Sequence, residues 1–234
     1  ILRFNPVSFV IHLMQGGRLR VDESRSAKPR GGQARFTFTS VEAPSTGSQP
    51  KSVHKTALLL TEQGRERRAG VWCVPSTELD TSPPLAKLGP EAAGISADNL
   101  AERFAANSMR VHGFLRHQGM VAGIGRRLSN EVCHAAQISP FATTRQLGAE
   151  GAAKVSAAIE HCVAEGLAAE RKRKDMSSSQ DRPSAVHMRT GEPCPVCGDR
   201  IHEVSYSSYS VNYCAACQTD GRILADNTTS KFLK

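Results

Sequence analysis

The sequence predicts an α+β protein: an antiparallel β-sandwich, then a helical domain, then a C-terminal β-hairpin module rich in cysteine. Three observations predict it. Residues 1–75 hold short β-type runs separated by Gly, Pro and Ser clusters, without a helical period. From residue 96 the composition shifts to Ala, Glu, Arg and Leu, with apolar residues at helical spacing. Four of the seven cysteines fall in two Cys-x-x-Cys pairs between residues 194 and 217.

The totals agree with a folded, water-facing chain. At 234 residues it suits one or two domains, the usual domain being about 100–200 residues. Its 39% hydrophobic and 22% charged content is ordinary, and no apolar run approaches the roughly 18 residues of a membrane span, so no membrane association is expected. No signal peptide opens the chain. Ile1-Leu2-Arg3-Phe4 reads as a strand already under way without an initiator Met, so a further segment is expected upstream. The net charge of +8 and pI of about 9.3 attract polyanions. Lys and Arg outnumber Asp and Glu by twelve to five in residues 1–76 and ten to seven in 171–234, but number eight against ten in 77–170. Charge alone, which also serves solubility, names no partner.

In the sandwich, residues 1–76, the runs are Phe9-Val10-Ile11-His12-Leu13, Arg18-Leu19-Arg20-Val21, Arg35-Phe36-Thr37-Phe38, Thr56-Ala57-Leu58-Leu59-Leu60 and Ala69-Gly70-Val71-Trp72-Cys73-Val74. Residues 40–55 read as a flexible hairpin loop. Residues 77–94, with Pro83, Pro84 and Pro90, read as a linker. The helical domain, 95–170, carries expected helices near 97–106, 109–119, 125–137 and 148–170, with Ser96 as the first N-cap. Pro140 stops the third helix before a tight turn, which gives a helix-turn-helix arrangement. Residues 171–190, opening Arg171-Lys172-Arg173-Lys174 and passing through Ser177-Ser178-Ser179, lack periodicity and read as a mobile loop. Residues 191–234 form the cysteine module and a tail.

Cys194-x-x-Cys197 and Cys214-x-x-Cys217 are separated by sixteen residues, the spacing of a four-cysteine zinc site on two knuckles of a β-hairpin. A redox motif needs only one such pair. Four thiolates close the coordination shell and leave no position for a reactive water, so one structural Zn²⁺ is expected. Metal-binding cysteines suit a reducing cytoplasm. Cys73, Cys133 and Cys162 stand among apolar neighbours and are assigned to the core.

Several stretches, in order, resemble the formamidopyrimidine-DNA glycosylase and endonuclease VIII family, across nearly the whole chain. His12-Leu13-Met14-Gln15-Gly16-Gly17-Arg18-Leu19-Arg20 resembles the family's central sandwich strand and the loop that fills the gap left by an everted base. Arg67-Arg68-Ala69-Gly70-Val71-Trp72 resembles its second wedge loop, and Leu88-Gly89-Pro90-Glu91 the segment that closes the sandwich. Val121-Ala122-Gly123-Ile124-Gly125 with Ser129-Asn130-Glu131 resembles the helix-two-turn-helix signature, and Gly191-Glu192-Pro193-Cys194-Pro195-Val196-Cys197-Gly198 the opening of its zinc finger. The C-terminal tail resembles those of a bacterial, actinobacterial-like subgroup.

The resemblance implies a base-excision-repair DNA glycosylase with abasic-site lyase activity, acting as a monomer on double-stranded DNA with damaged bases or abasic sites, in a bacterial cytoplasm at the nucleoid. An enzyme of this kind must extrude the base and fill the hole. By alignment Gln15 fills the void, with Met14 as a further candidate that is equally at home in a core, and Arg67, beside Arg68, faces the orphaned base. Gly123 and Gly125 can bring backbone N–H groups against a phosphate at a helix start, although Gly-x-Gly also serves as a packed turn. Arg126 and Arg127 follow on that helix and equally suit a solvated face. His12, alone in an apolar strand, reads as structural. The family's N-terminal proline nucleophile, its glutamate and its hairpin lysine fall upstream of Ile1, so the resemblance assigns no catalytic residue here and leaves this stretch inactive by itself. Three positions depart from the pattern: Ala69 replaces an often aromatic wedge residue, Arg126 stands where Asn is frequent, and Tyr209 replaces the phosphate-contacting Arg of the hairpin, which passes that role to Arg200, Lys231 or Lys234. A noncatalytic damaged-DNA-binding protein on the same scaffold is the alternative.

Overall fold

The computed structural model describes residues 1–14, 16–41, 53–83, 85–173, 182–206 and 208–224. Gln15, residues 42–52 of the expected hairpin loop, residues 174–181 of the expected mobile loop, and the tail with Lys231 and Lys234 lie outside the described residues. The chain forms two compact units, Ile1–Ala86 and Lys87–Lys234.

The first unit holds six strands: β1 (Leu2–Arg3), β2 (Val7–His12), β3 (Gly17–Val21), β4 (Gly32–Val41), β5 (Val53–Glu62) and β6 (Gly70–Pro75). They build two antiparallel three-stranded sheets, ordered β1-β2-β6 and β3-β5-β4. Because side chains alternate faces along a strand, Ala34, Phe36 and Phe38 turn in while Gln33, Arg35, Thr37 and Thr39 face water. Aromatic rings join the sheets: Phe9 meets Phe36 edge-on at 5.9 Å and Phe4 stacks on Phe38 at 6.1 Å. The same alternation corrects the assignment of Cys73. Val74 and Trp72 pack against Val10 and Leu79, so Cys73 between them is exposed. Strands β4 and β5 run further than their apolar runs, pairing out to Val41 and Val53, because ladder hydrogen bonds continue after the inward face has ended.

The second unit is built on four helices: α1 (Ala97–Ala106), α2 (Val111–Arg116), α3 (Arg126–Ala135) and α4 (Thr144–Arg171). Ser96 caps α1, its hydroxyl accepting from the Asn99 N–H at 3.2 Å. Helix α4 starts four residues before the expected 148, because Thr143 and Gln146 form a capping box, and Gly148, at φ 55°, kinks it where the sequence suggested a start. Leu100, Phe104, Val111, Phe114, Leu115, Ile124, Val155 and Ile159 form the core, with Phe104 edge-on to Phe114 at 5.0 Å. Cys133 and Cys162 lie in this core, where burial pushes both thiols up to about 12. No helix among the described residues is long and apolar enough to cross a membrane.

After α4 the chain returns through residues 182–190 to a hairpin of β7 (Ile201–Ser205) and β8 (Ser210–Cys214), followed by the short helix α5 (Ala215–Gln218).

Candidate functional site

Two tight knuckles bring the cysteines together. In the first, the Gly198 N–H donates to the Cys194 carbonyl at 2.9 Å with Gly198 at φ 78°, a left-handed turn that suits glycine. In the second, β8 delivers Cys214 opposite Ile201, and one turn of α5 carries Cys217 round beside it. The four sulfurs all lie within 4.8 Å of one another, with Cys194 to Cys217 at 3.9 Å and Cys197 to Cys214 at 3.3 Å. A tetrahedron with Zn–S bonds of about 2.3 Å has edges of about 3.8 Å, so the thiolates fit one zinc ion. The Asp199 backbone N–H lowers the Cys197 pKa, favouring the thiolate that a metal needs. The His134 ring on α3 reaches the Cys194 sulfur through Nε2 at 3.3 Å, the outer hydrogen bond that commonly orients a ligand.

The hairpin is locked to the helices by a buried polar face on α3. The Glu131 carboxylate accepts three consecutive backbone N–H groups, from Ala185 at 2.6 Å, Val186 at 3.1 Å and His187 at 2.8 Å. Asn130 donates to Asn212 of β8 at 3.3 Å. Gln218 of α5 accepts from the Cys214 N–H and donates to the Ile138 carbonyl, each at 2.9 Å. Tyr213 is wholly buried and its hydroxyl accepts the Leu224 N–H at 2.6 Å, tying down the first residues of the tail.

This docking sets the hairpin tip beside the start of α3, where three guanidinium groups gather. Arg126 donates to the Ser208 carbonyl at 3.0 Å, Arg110 donates to the Tyr206 hydroxyl at 3.1 Å, and Arg116 lies over the Tyr209 ring at 3.7 Å. Tyr209 also stacks on Tyr206 at 4.6 Å, so its ring packs against both a cation and a second aromatic ring. No ion pair found among the described residues engages any of these three arginines. Arg110 and Arg116 were not singled out from the sequence, because only the fold brings α2 to the hairpin tip. Of the two glycines, Gly123 sits at φ 91° and gives its N–H to Gln118 Oε1 at 3.0 Å, so that group is engaged internally. Gly125 is the N-cap of α3 and no side chain caps the helix there. Arg127 turns inward, half-buried, and donates to the Pro183 carbonyl at 3.3 Å. Arg200 is exposed.

His112, on α2 beneath Tyr209, is buried, with Nε2 at 3.3 Å from the Ser129 hydroxyl. Burial first, and then the Arg116 charge, pushes its pKa from 6.5 down to about 4. An unfolded histidine takes up a proton as pH falls below about 6.5, whereas folded His112 resists until about 4. Stability is therefore full above pH 6.5 and falls by roughly 3 kcal/mol on acidification to pH 4. Urea unfolding across this range should show the loss, and H112N should remove that share of the slope; an unchanged slope would refute the assignment.

In the first unit, Met14 is 49% exposed at φ 51°, on a turn where its N–H donates to His12 Nδ1 at 3.1 Å. His12 therefore stands exposed at the end of β2 and holds the turn. Gly17 cannot be replaced, since a Cβ there would lie 2.3 Å from the Leu13 carbonyl oxygen. On the turn between β5 and β6, Arg67 is exposed, Arg68 pairs with Glu66 at 2.6 Å on the surface, and Ala69 is half-buried.

Four clustered thiolates and two helices joined through tight turns define a zinc-bearing helix-two-turn-helix protein. The zinc finger found in FPG and IleRS matches residues 191–219. An uncharacterized formamidopyrimidine-DNA glycosylase-like protein of Mycobacterium tuberculosis is 42% identical over 162 residues, covering 65% of this chain and 98% of that protein. The chain belongs to the formamidopyrimidine-DNA glycosylase (Fpg, MutM) family. The formamidopyrimidine-DNA glycosylase of Desulfitobacterium hafniense is 32% identical over 145 residues, and the chain spans about half of it, 53%. That of Agrobacterium fabrum is 27% identical over 239 residues, 91% of this chain and 77% of the enzyme. Among solved structures, Lactococcus lactis Fpg with DNA containing an abasic site shares the fold at a TM-score of 0.73 and 16% identity, over 92% of this chain and 76% of that one. MutM with DNA containing carbocyclic 8-oxo-G matches at 0.72 and 16%, over the same shares.

Proposed function

We propose that this chain grips damaged duplex DNA for a base-excision-repair glycosylase with abasic-site lyase activity in a bacterial cytoplasm. The observation that carries the reading is the cluster of Arg110, Arg116 and Arg126 around the zinc-hairpin tip. Guanidinium groups without an ion-pair partner among the described residues, next to a helix start with no side-chain cap, suit the phosphodiester backbone, whose neutralisation releases counterions. Tyr209 brings no charge, and in this reading Arg116, laid over its ring, supplies it. Met14, Gln15, Arg67 and Arg68 form the wedge that enters the duplex, with Gly123 and Gly125 shaping the α3 start. This reading assigns no catalytic residue within residues 1–234, and lyase chemistry requires the family's proline nucleophile, glutamate and hairpin lysine.

Binding of R126A and R116A to an abasic duplex tests the grip. Each change should weaken binding similarly for any sequence and lower the slope of log affinity against log salt by about 1. An unaltered slope in both would remove the cluster from the interface. The alternative is a noncatalytic damaged-DNA-binding protein on the same scaffold. Borohydride trapping separates the two. The protein read from an upstream frame opening Met-Pro-Glu should form a covalent adduct with abasic DNA, and failure of that protein to do so would favour the noncatalytic reading.

A further inference from the structure

We infer that Glu62 is a positioning residue that couples the two loops of the proposed wedge, an assignment that rests on the damaged-DNA reading above. Glu62 ends β5 and is only 4% exposed. Its carboxylate Oε2 accepts the Ala69 N–H at 2.8 Å, at the end of the Arg67–Ala69 turn, and the Gln33 side-chain N–H at 3.0 Å. The same side chain lies against the other loop. A Cβ on Gly16 would meet Glu62 Cγ and Oε1 at 3.2 Å each, so the carboxylate fills the space beside the Met14–Gly17 turn. Main-chain bonds fix the carboxylate's base, since Glu62 pairs with Gly17 in the β3–β5 ladder and its N–H donates to the Gly31 carbonyl at 2.9 Å.

One buried anion is therefore bonded to the Arg67–Ala69 turn and occupies the space that a side chain at position 16 would need. The Ala69 N–H first, then the Gln33 side chain and the Arg68 N–H, and last the Arg67 charge hold the Glu62 carboxyl below the usual carboxylate range against the opposing effect of burial, which keeps it an acceptor at neutral pH. Charge-assisted bonds of this kind are stronger than neutral ones. The Met14–Gly17 turn contains a non-glycine residue at positive φ and is closed by the Gly17 N–H to the Leu13 carbonyl at 2.8 Å. A loop that must insert into a stacked duplex gains from being held in its inserted shape beforehand, since ordering it at the moment of binding subtracts from affinity.

Two readouts test the inference, one of them without DNA. In E62A, amide exchange at both Gly17 and Ala69 should accelerate at least tenfold, while Val10 and Val74 in the strands stay protected. E62Q, which keeps the shape and one acceptor oxygen, should restore both amides to within about threefold of the wild type. Acceleration at Ala69 alone would overturn the coupling. In the second readout, the preference for an abasic over an intact duplex should fall about tenfold in E62A and recover in E62Q, with zinc content and urea midpoint confirming a folded protein. Coupled loss of protection without a change in preference would overturn the role in recognition. A wild-type protein with no abasic preference would instead remove the damaged-DNA reading, and the exchange result would still decide whether Glu62 couples the loops.

Discussion

Removing zinc should unfold the hairpin module and expose the polar face of α3. Strands β7 and β8 have five residues each, and an isolated two-stranded hairpin is marginal in water. The small apolar cluster beneath them, Val186, Ile201, Cys194 and Cys214, includes two of the ligands themselves. Metal binding in small zinc modules is worth on the order of 10–16 kcal/mol, and there it is folding free energy. A chelator should therefore release one zinc per chain together with the loss of β7–β8 amide protection, and C214S should reproduce that state. A metal-free protein that keeps these amides protected would refute a structural zinc. The effect should stop short of global unfolding, since Leu100, Phe104, Phe114 and Ile159 pack without help from the hairpin.

The second large effect is expected at Glu131. Its carboxylate is the acceptor for the three amides of Ala185, Val186 and His187, and it is 8% exposed. Hydrogen bonds to a charged group contribute about 1.5–3 kcal/mol each, and a buried donor left without a partner costs its desolvation. E131A should thus destabilise the second unit by roughly 4–6 kcal/mol, with water partly replacing the lost acceptor. Val186, wholly buried in the hairpin's cluster, would lose its anchor, so zinc affinity should fall as well. Urea unfolding of the zinc-loaded protein checks this, and a loss under about 1 kcal/mol would show that the 182–190 segment docks without Glu131.

Much of the site was legible because its chemistry is local in sequence. The two Cys-x-x-Cys pairs give zinc and a hairpin by spacing alone, and the fold class followed from periodicity and composition. The resemblance supplied the wedge loops and the helix-two-turn-helix, which no local rule would have separated from a packed turn. What escaped was carried by long-range contacts. Glu131, named from the sequence only as part of the helix-two-turn-helix signature, bonds to residues more than fifty positions away, and Arg110 meets Tyr206 only once β8 is docked on α3. Glu62 looks like any acid at a strand end until the fold lays it against Gly16 and Ala69. Cys73 was misread because apolar neighbours in sequence do not say which face of β6 a residue occupies. Helix α4 began early because a capping box outweighed the glycine at 148.

The most direct test of the account is the affinity of the protein for an abasic duplex, measured with zinc bound, after its removal and after its return, over a range of salt. The account predicts tight binding that falls by about 40-fold or more between 50 and 200 mM salt, the loss that follows from three neutralised phosphates, disappears with the metal and comes back with it. Binding that survives zinc removal, or that ignores salt, would contradict the claim that a zinc-clamped hairpin locked onto α3 holds the DNA backbone.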